Sequence, residues 1–312
     1  MKPSIVLMSI LALVLLIGAV VTPFVMIAID HLIARFPVLQ EISSFDIDRV
    51  MSRVLLIGAF LLFFLWRKKL AIGDIFRTAF PKRPTWDTEF WTGIACGTAT
   101  LTLLILITLW VGLRKAHLTP FSIAAYAPAV AGAVTSALAV AFIEELFFRG
   151  FILKTFLNDM RTLWAVVATS AFYSIVHFTQ IDGHPHFAKG DFLAGFKTIG
   201  LMIEPLGDFS SILPEFIGLF LVGFVLAYCF VWTRALYLSI GLHAGWILVI
   251  KMDGLFVQVN QGWRYGFYGT DKMVDGSLSW IILAVLFLAL WASLRKRCAV
   301  KRPAGGGAAS GF

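Results

Sequence analysis

The sequence predicts an all-α protein, a polytopic transmembrane helix bundle of about eight spans, and three observations carry that prediction. Of its 312 residues, 59% are hydrophobic and only 14% are charged, whereas a soluble domain is nearer a quarter charged. Mean hydropathy is +0.87. Apolar runs long enough to cross a bilayer recur along the whole chain, with Lys and Arg gathered in the short polar stretches between them. The formal charge of +8 is therefore spread as a positive-inside bias rather than as a nucleic-acid patch, and no nucleic-acid partner is expected.

The runs lie near 4–29, 50–66, 90–113, 124–158, 162–178, 213–233, 235–252 and 278–294. The first follows Met1-Lys2-Pro3-Ser4 without a small-residue cleavage site, and so reads as a retained span rather than a signal peptide. After the second come Arg67, Lys68, Lys69, Arg77, Lys82 and Arg83, and after the eighth Arg295, Lys296, Arg297, Lys301 and Arg302. Both clusters belong in the cytoplasm, and the six spans between them satisfy that parity. Lys2 agrees, so both termini are expected inside an integral, multi-pass protein of the cell membrane of a prokaryote. Four segments result: 1–120 with spans one to three, 121–255 with spans four to seven, 256–303 with an external loop, the last span and the basic end, and a flexible tail at 304–312. Cys96, Cys229 and Cys298 are odd in number and scattered, which argues for free cysteines and against a disulfide framework.

The fourth run is too long for one simple crossing, so a tilted or re-entrant start is expected around Pro128 and Gly132. It also holds the most expensive residues in the chain, Glu144 and Glu145, with Arg149 one turn later. Charges at bilayer depth cost at least about 2.5–3.5 kcal/mol each on insertion scales, which makes such a pair a functional site by default. Asn158 to Arg161 then form a short turn into span five. Glu144 lies sixteen residues before the turn and His177 sixteen after it, so both sit about 24 Å from the bend at the helical rise. The two helices thus bring a carboxylate and an imidazole to one depth. His243 follows in span seven within Gly241-Leu242-His243-Ala244-Gly245, whose small residues permit close helix approach. The same count places it somewhat shallower, about 12 Å from Arg234.

Successive helical positions diverge by about 100°, so the two glutamates face different ways. Glu145 and Arg149 form an i, i+4 charge pair. Glu144 has no such local partner, which leaves it free to face His177 and His243 as a general base.

Glu144-Glu145-Leu146-Phe147-Phe148-Arg149 resembles the EExxxR motif of the CAAX-protease and bacteriocin-processing (ABI) group of intramembrane endopeptidases. Two later histidine motifs follow in order over about 120–255. His177 is preceded at four residues by Tyr173, where the family has Phe, and His243 is followed at four residues by Ile247, where it has Asn or Asp. The resemblance implies an active site within the membrane that hydrolyses a peptide bond of a membrane-anchored or lipidated protein. It further implies that Glu144 and His177 activate water and that His243 assists the oxyanion, with Glu145, Arg149 and Tyr173 in support. Ile247 cannot donate a hydrogen bond, so Trp246, Tyr173, Ser174 or a backbone N–H would have to stand in.

Alternatives stay open at this point. No cofactor is favoured, yet two histidines and a carboxylate could hold zinc, with His177, His243 and Glu144 as ligands of a metalloprotease. No HExxH motif supports that. A catalytically inactive relative, or a scaffold or transporter with structural Glu, Arg and His residues, is the rival function, although no internal repeat is visible. A haem held by both histidines would leave the glutamates without a task. His184-Pro185-His186 with Asp182 and Asp191, in the loop 179–212, reads as solvated rather than metal-binding. The segment 253–277, with Trp263, Tyr265, Phe267 and Tyr268, suits an interfacial loop or lid. Substrate identity and oligomeric state are not legible.

Overall fold

The structure is a computed structural model and describes residues 2–36, 38, 46–70, 72, 74–116, 123–179, 185, 187, 190–259 and 266–300. In lipid each backbone N–H and C=O must be satisfied within its own segment, and the apolar runs accordingly fold as helices. They are α1 (Pro3–Arg35), α2 (Ile47–Trp66), the short α3 (Ile75–Ala79), α4 (Trp86–Trp110), α5 (Ile123–Glu145), α6 (Thr162–His177), α7 (Ala194–Ile203), α8 (Phe209–Thr233), α9 (Tyr237–Phe256) and α10 (Ser277–Val300). Seven helical stretches are long and apolar enough to cross a bilayer, and α6 is an eighth, shorter apolar helix. Two three-residue strands, β1 (Arg114–Ala116) and β2 (Val257–Val259), pair antiparallel and tie the end of α4 to the end of α9.

One end of the bundle carries the basic loop 67–83. Ser4 N–H, in the first turn of α1, donates to Asp159 Oδ2 at 2.6 Å, so a carboxylate of the 158–161 turn stabilises the start of α1. Lys154 Nζ donates to the Ile72 carbonyl at 2.9 Å, and Arg83 to the Thr233 carbonyl at 2.7 Å. Arg234 closes α8 in the left-handed conformation (φ 54°), and Leu236 N–H then bonds the Ala79 carbonyl at 2.9 Å. The N-terminal turn, the 67–83 loop and two interhelical turns thus share one end. The ribbon lies at the other, where Lys272, shortly before α10, reaches Glu215 near the start of α8.

The most extensive helix packing is between α4 and α9. Gly93 and Gly97 on one helix face Gly241 and Gly245 on the other, and each backbone fills the space a side chain would need. A Cβ on Gly245 would stand 2.7 Å from the Ile94 carbonyl oxygen. Such reciprocal small-xxx-small surfaces let helices approach without a hydrophobic driving force, through dispersion contacts alone. This contact seats His243, which lies between Gly241 and Gly245.

Three expectations are corrected. The fourth span does not start as a re-entrant piece at Pro128 and Gly132, for α5 runs through both as one helix. Its irregularity comes later, as a π-helical segment Leu146–Leu153 beginning just after Glu145. Wider turns advance less per residue, so the 24 Å count for Glu144 overestimates its distance from the bend. Finally, the loop 179–212 contains α7, whose Gly195 abuts Ala19 of α1 while Phe192 packs on Phe24 at 5.6 Å. His184, His186, Asp182, Trp263, Tyr265 and the tail 304–312 lie outside the described residues.

Candidate active site

Glu145 and Arg149 are completely buried and form the expected pair, with Arg149 Nη1 donating to Glu145 Oε1 at 2.8 Å. The guanidinium reaches further. Its other terminal nitrogen donates to the Gly223 carbonyl of α8 at 3.1 Å, and it lies 4.9 Å from the centre of the Tyr173 ring on α6. One arginine therefore binds α8 and α6 to the π-helical segment that carries it. Gly223 makes this contact possible, since a Cβ there would press on Ser170 and Tyr173 at 3.2 Å.

The same glutamate oxygen meets His243. Glu145 Oε1 lies 2.9 Å from His243 Nδ1. A carboxylate engaged by arginine can only accept, so Nδ1 carries the proton and Nε2 is turned the other way. There it lies 3.9 Å from Glu144 Oε2. Adjacent glutamates, expected to face apart, thus bracket one imidazole from its two sides. Their environments do diverge: Glu145 is fully enclosed, whereas the Glu144 side chain retains 29% exposure. Glu144 Oε2 accepts no hydrogen bond from the described protein groups, an arrangement that costs about 1–3 kcal/mol for a buried acceptor and calls for a reason.

His177 completes the group. Its Nδ1 lies 2.8 Å from the Tyr173 carbonyl, which can only accept, so Nδ1–H donates and Nε2 is left for the cavity. The Tyr173 ring, almost wholly buried, stands 4.3 Å from the His177 ring and 6.3 Å from that of His243. Glu144, His177, His243 and Tyr173 all line one cavity of about 600 Å³. Its walls are mainly apolar, from Leu101, Leu104, Leu219, Val222, Ile247 and Leu283, and it extends to Lys251, Glu215 and Lys272 near the ribbon end. Met273 and Val274 cover one side, so the 253–277 segment does border the cavity.

All six residues singled out in the sequence therefore meet here, including His243, which the depth count had set apart. Of the donors considered in place of the family's Asn or Asp, two are committed elsewhere. Trp246 Nε1 donates to Thr100 Oγ1 at 3.0 Å and Ser174 Oγ to the Phe216 carbonyl at 2.9 Å. Tyr173 stays on the cavity wall, and Ile247 lines it as an apolar surface. Zinc fits poorly. Among the described residues no three His, Cys, Asp or Glu side chains converge as a ligand set.

Sequence reasoning missed the glycine pair of α4, the second bond of Glu145 and the ion pair between Arg114 and Asp253, whose side chains are 5% and 10% exposed. Gly93 and Gly97 had a signal available, the same four-residue spacing as Gly241 and Gly245. No curated protein and no solved structure matches the chain. One family model does, and its span includes Glu144, Glu145, Arg149, Tyr173, His177 and His243. Residues 126–249 match the type II CAAX prenyl endopeptidase Rce1-like family, and this match supports the resemblance to the CAAX-protease group read from the sequence.

Proposed function

We propose that this protein is an intramembrane endopeptidase that hydrolyses a peptide bond of a membrane-associated, prenylated protein, with Glu144 as general base. The observation that carries the proposal is the bracketed imidazole: Glu145 fixes Nδ1–H of His243 and turns Nε2 toward Glu144 and the cavity. In this reading a water beside Glu144 loses a proton to the carboxylate while its oxygen attacks the scissile carbonyl carbon. His177 Nε2 accepts a hydrogen bond from the water's other O–H, which stays on the oxygen, and so holds its orientation. His243, protonated on both nitrogens and balanced by Glu145, donates Nε2–H to the developing oxyanion. Protonated Glu144 then delivers its proton to the leaving amine as the C–N bond breaks. Each oxyanion donor is worth roughly 10²–10³ in rate, and Ile247 gives no second one, so turnover is expected to be slow rather than absent.

The reading is metal-independent. Its test is hydrolysis of an S-farnesyl peptide by purified protein after exhaustive chelation, with the new termini read by mass spectrometry. Retained cleavage with substoichiometric zinc supports it. One tightly held zinc per chain, lost together with activity, overturns it in favour of a metalloprotease.

A further inference from the structure

A second cavity lies apart from the site, between the early turns of α1 and the end of α2. It measures about 460 Å³ and is lined by Val6, Ser9, Ile10 and Leu13 from α1 and by Trp66 and Lys69 from the end of α2 and just beyond it. That volume suits a small-molecule or lipid ligand. Val6, Ile10 and Leu13 recur at four and then three residues, so they form one apolar stripe along α1. The wall from α2 instead brings an indole and an ammonium.

The polar groups around this cavity are unevenly committed. Ser9 Oγ donates to the Ile5 carbonyl at 2.9 Å. Arg67 is folded back on its own helix, with Nη1 donating to the Phe64 carbonyl at 3.0 Å and the guanidinium 4.2 Å from the centre of the Phe64 ring. The Lys69 ammonium and the Trp66 indole N–H, by contrast, have no hydrogen-bond or ion-pair partner among the described residues. Both walls are fixed to one turn: Asn158 Nδ2 donates to the Leu70 carbonyl at 3.3 Å, and the Asp159 carboxylate is engaged by Ser4 N–H. Trp and Lys at the end of a span mark the boundary between lipid and water. Two free donors at that boundary, beside an apolar stripe, match an amphiphile with an anionic head and a hydrocarbon tail.

We propose that this cavity binds one anionic phospholipid, with its phosphate on Lys69 Nζ and the Trp66 indole N–H and one acyl chain along Val6, Ile10 and Leu13. The positive-inside bias is expected to put this end at the cytoplasmic leaflet, where anionic lipids gather and basic cavities between spans receive their head groups. Because α1 and α2 are both tied to the 158–161 turn, a lipid that bridges them stabilises the folded bundle by mass action. The proposal goes beyond the endopeptidase reading, and its test needs no cleavage.

The test is thermal unfolding of the delipidated full chain in detergent, titrated with phosphatidylglycerol, with phosphatidylcholine of the same acyl chains, or with inorganic phosphate. The melting temperature is expected to rise with phosphatidylglycerol alone. Lys69→Gln should weaken the apparent affinity by roughly fivefold to tenfold, the worth of one basic residue at a membrane surface, and Lys69→Arg should keep it. Lys68→Gln removes the same charge from a neighbour outside the lining and should leave the affinity unchanged. Leu13→Trp, which fills the cavity, should abolish the effect with Lys69 in place. Native mass spectrometry of the same variants counts retained lipid independently of each variant's own stability, and one phosphatidylglycerol fewer is expected on Lys69→Gln and Leu13→Trp. Equal stabilisation by phosphatidylcholine or by phosphate, or equal weakening by Lys69→Gln and Lys68→Gln, overturns the assignment and leaves Lys69 as a lysine snorkelling from a span end.

Discussion

His243 Nδ1 and Glu145 Oε1 stand 2.9 Å apart, although 98 residues separate them in the chain. Since the same oxygen also accepts from Arg149 at 2.8 Å, one buried atom links the arginine that fastens α6 and α8 to the imidazole that faces the cavity. Local architecture and chemistry are coupled through Glu145.

That coupling predicts how its removal acts. Glu145→Gln and Arg149→Ala each leave a buried charge without its partner, which costs about 3–5 kcal/mol. Both should lower the melting temperature in detergent, and Glu145→Gln should also slow cleavage because His243 loses the carboxylate that orients its ring and balances its charge. Thermal unfolding of the purified variants checks the first effect, and unchanged stability in both would remove the structural role given to the pair.

The α4–α9 contact makes a second prediction. Leucine at Gly97 or Gly241 would drive side-chain atoms into the Leu242 or Phe90 backbone, and overpacking of a tight contact costs about 1–3 kcal/mol or more. Gly97→Leu and Gly241→Leu should reduce the yield of monodisperse protein, whereas Gly132→Leu, with open space around it, should not. Equal yields across the three would show that the glycines do not set the helix distance.

How much of this was legible follows from the range of each signal. The spans were readable because lipid enforces an apolar run for every crossing, and Glu145–Arg149 because i, i+4 is a local rule. The joint location of Glu144 and His177 followed from an antiparallel count across a short turn. Glu144 was set too deep relative to His243, because its count assumed α-helical rise through Leu146–Leu153, where the backbone is π-helical. Glu145 bonding to His243 was invisible to any local rule, since it depends on how α5 and α9 pack. The partner of Gly241 and Gly245 was missed because helix pairing between distant spans leaves no local signal, although Gly93 and Gly97 repeat the spacing.

Sidedness yields a third prediction. The basic loop 67–83 shares its end of the bundle with the N-terminal turn, while the cavity extends toward the ribbon end. By the positive-inside bias the basic end is expected to face the cytoplasm. Single cysteines at Ser210 and Thr78, both exposed, should then behave oppositely: an impermeant thiol reagent labels Ser210→Cys in intact cells and spares Thr78→Cys. Labelling of Thr78→Cys alone would invert the orientation and turn the cavity toward the cytoplasm.

The central claim is that Glu144, rather than its buried neighbour, performs the proton transfer. Glu144→Gln keeps the side chain's size and removes its basicity, and its partial exposure spares the fold the penalty that Glu145→Gln incurs. Loss of a general base typically costs about 10²–10⁴ in rate. The decisive measurement is single-turnover cleavage of a farnesylated peptide by wild type and Glu144→Gln, with melting temperatures taken on the same preparations. The account predicts loss of cleavage at an unchanged melting temperature; cleavage by Glu144→Gln at the wild-type rate would contradict it.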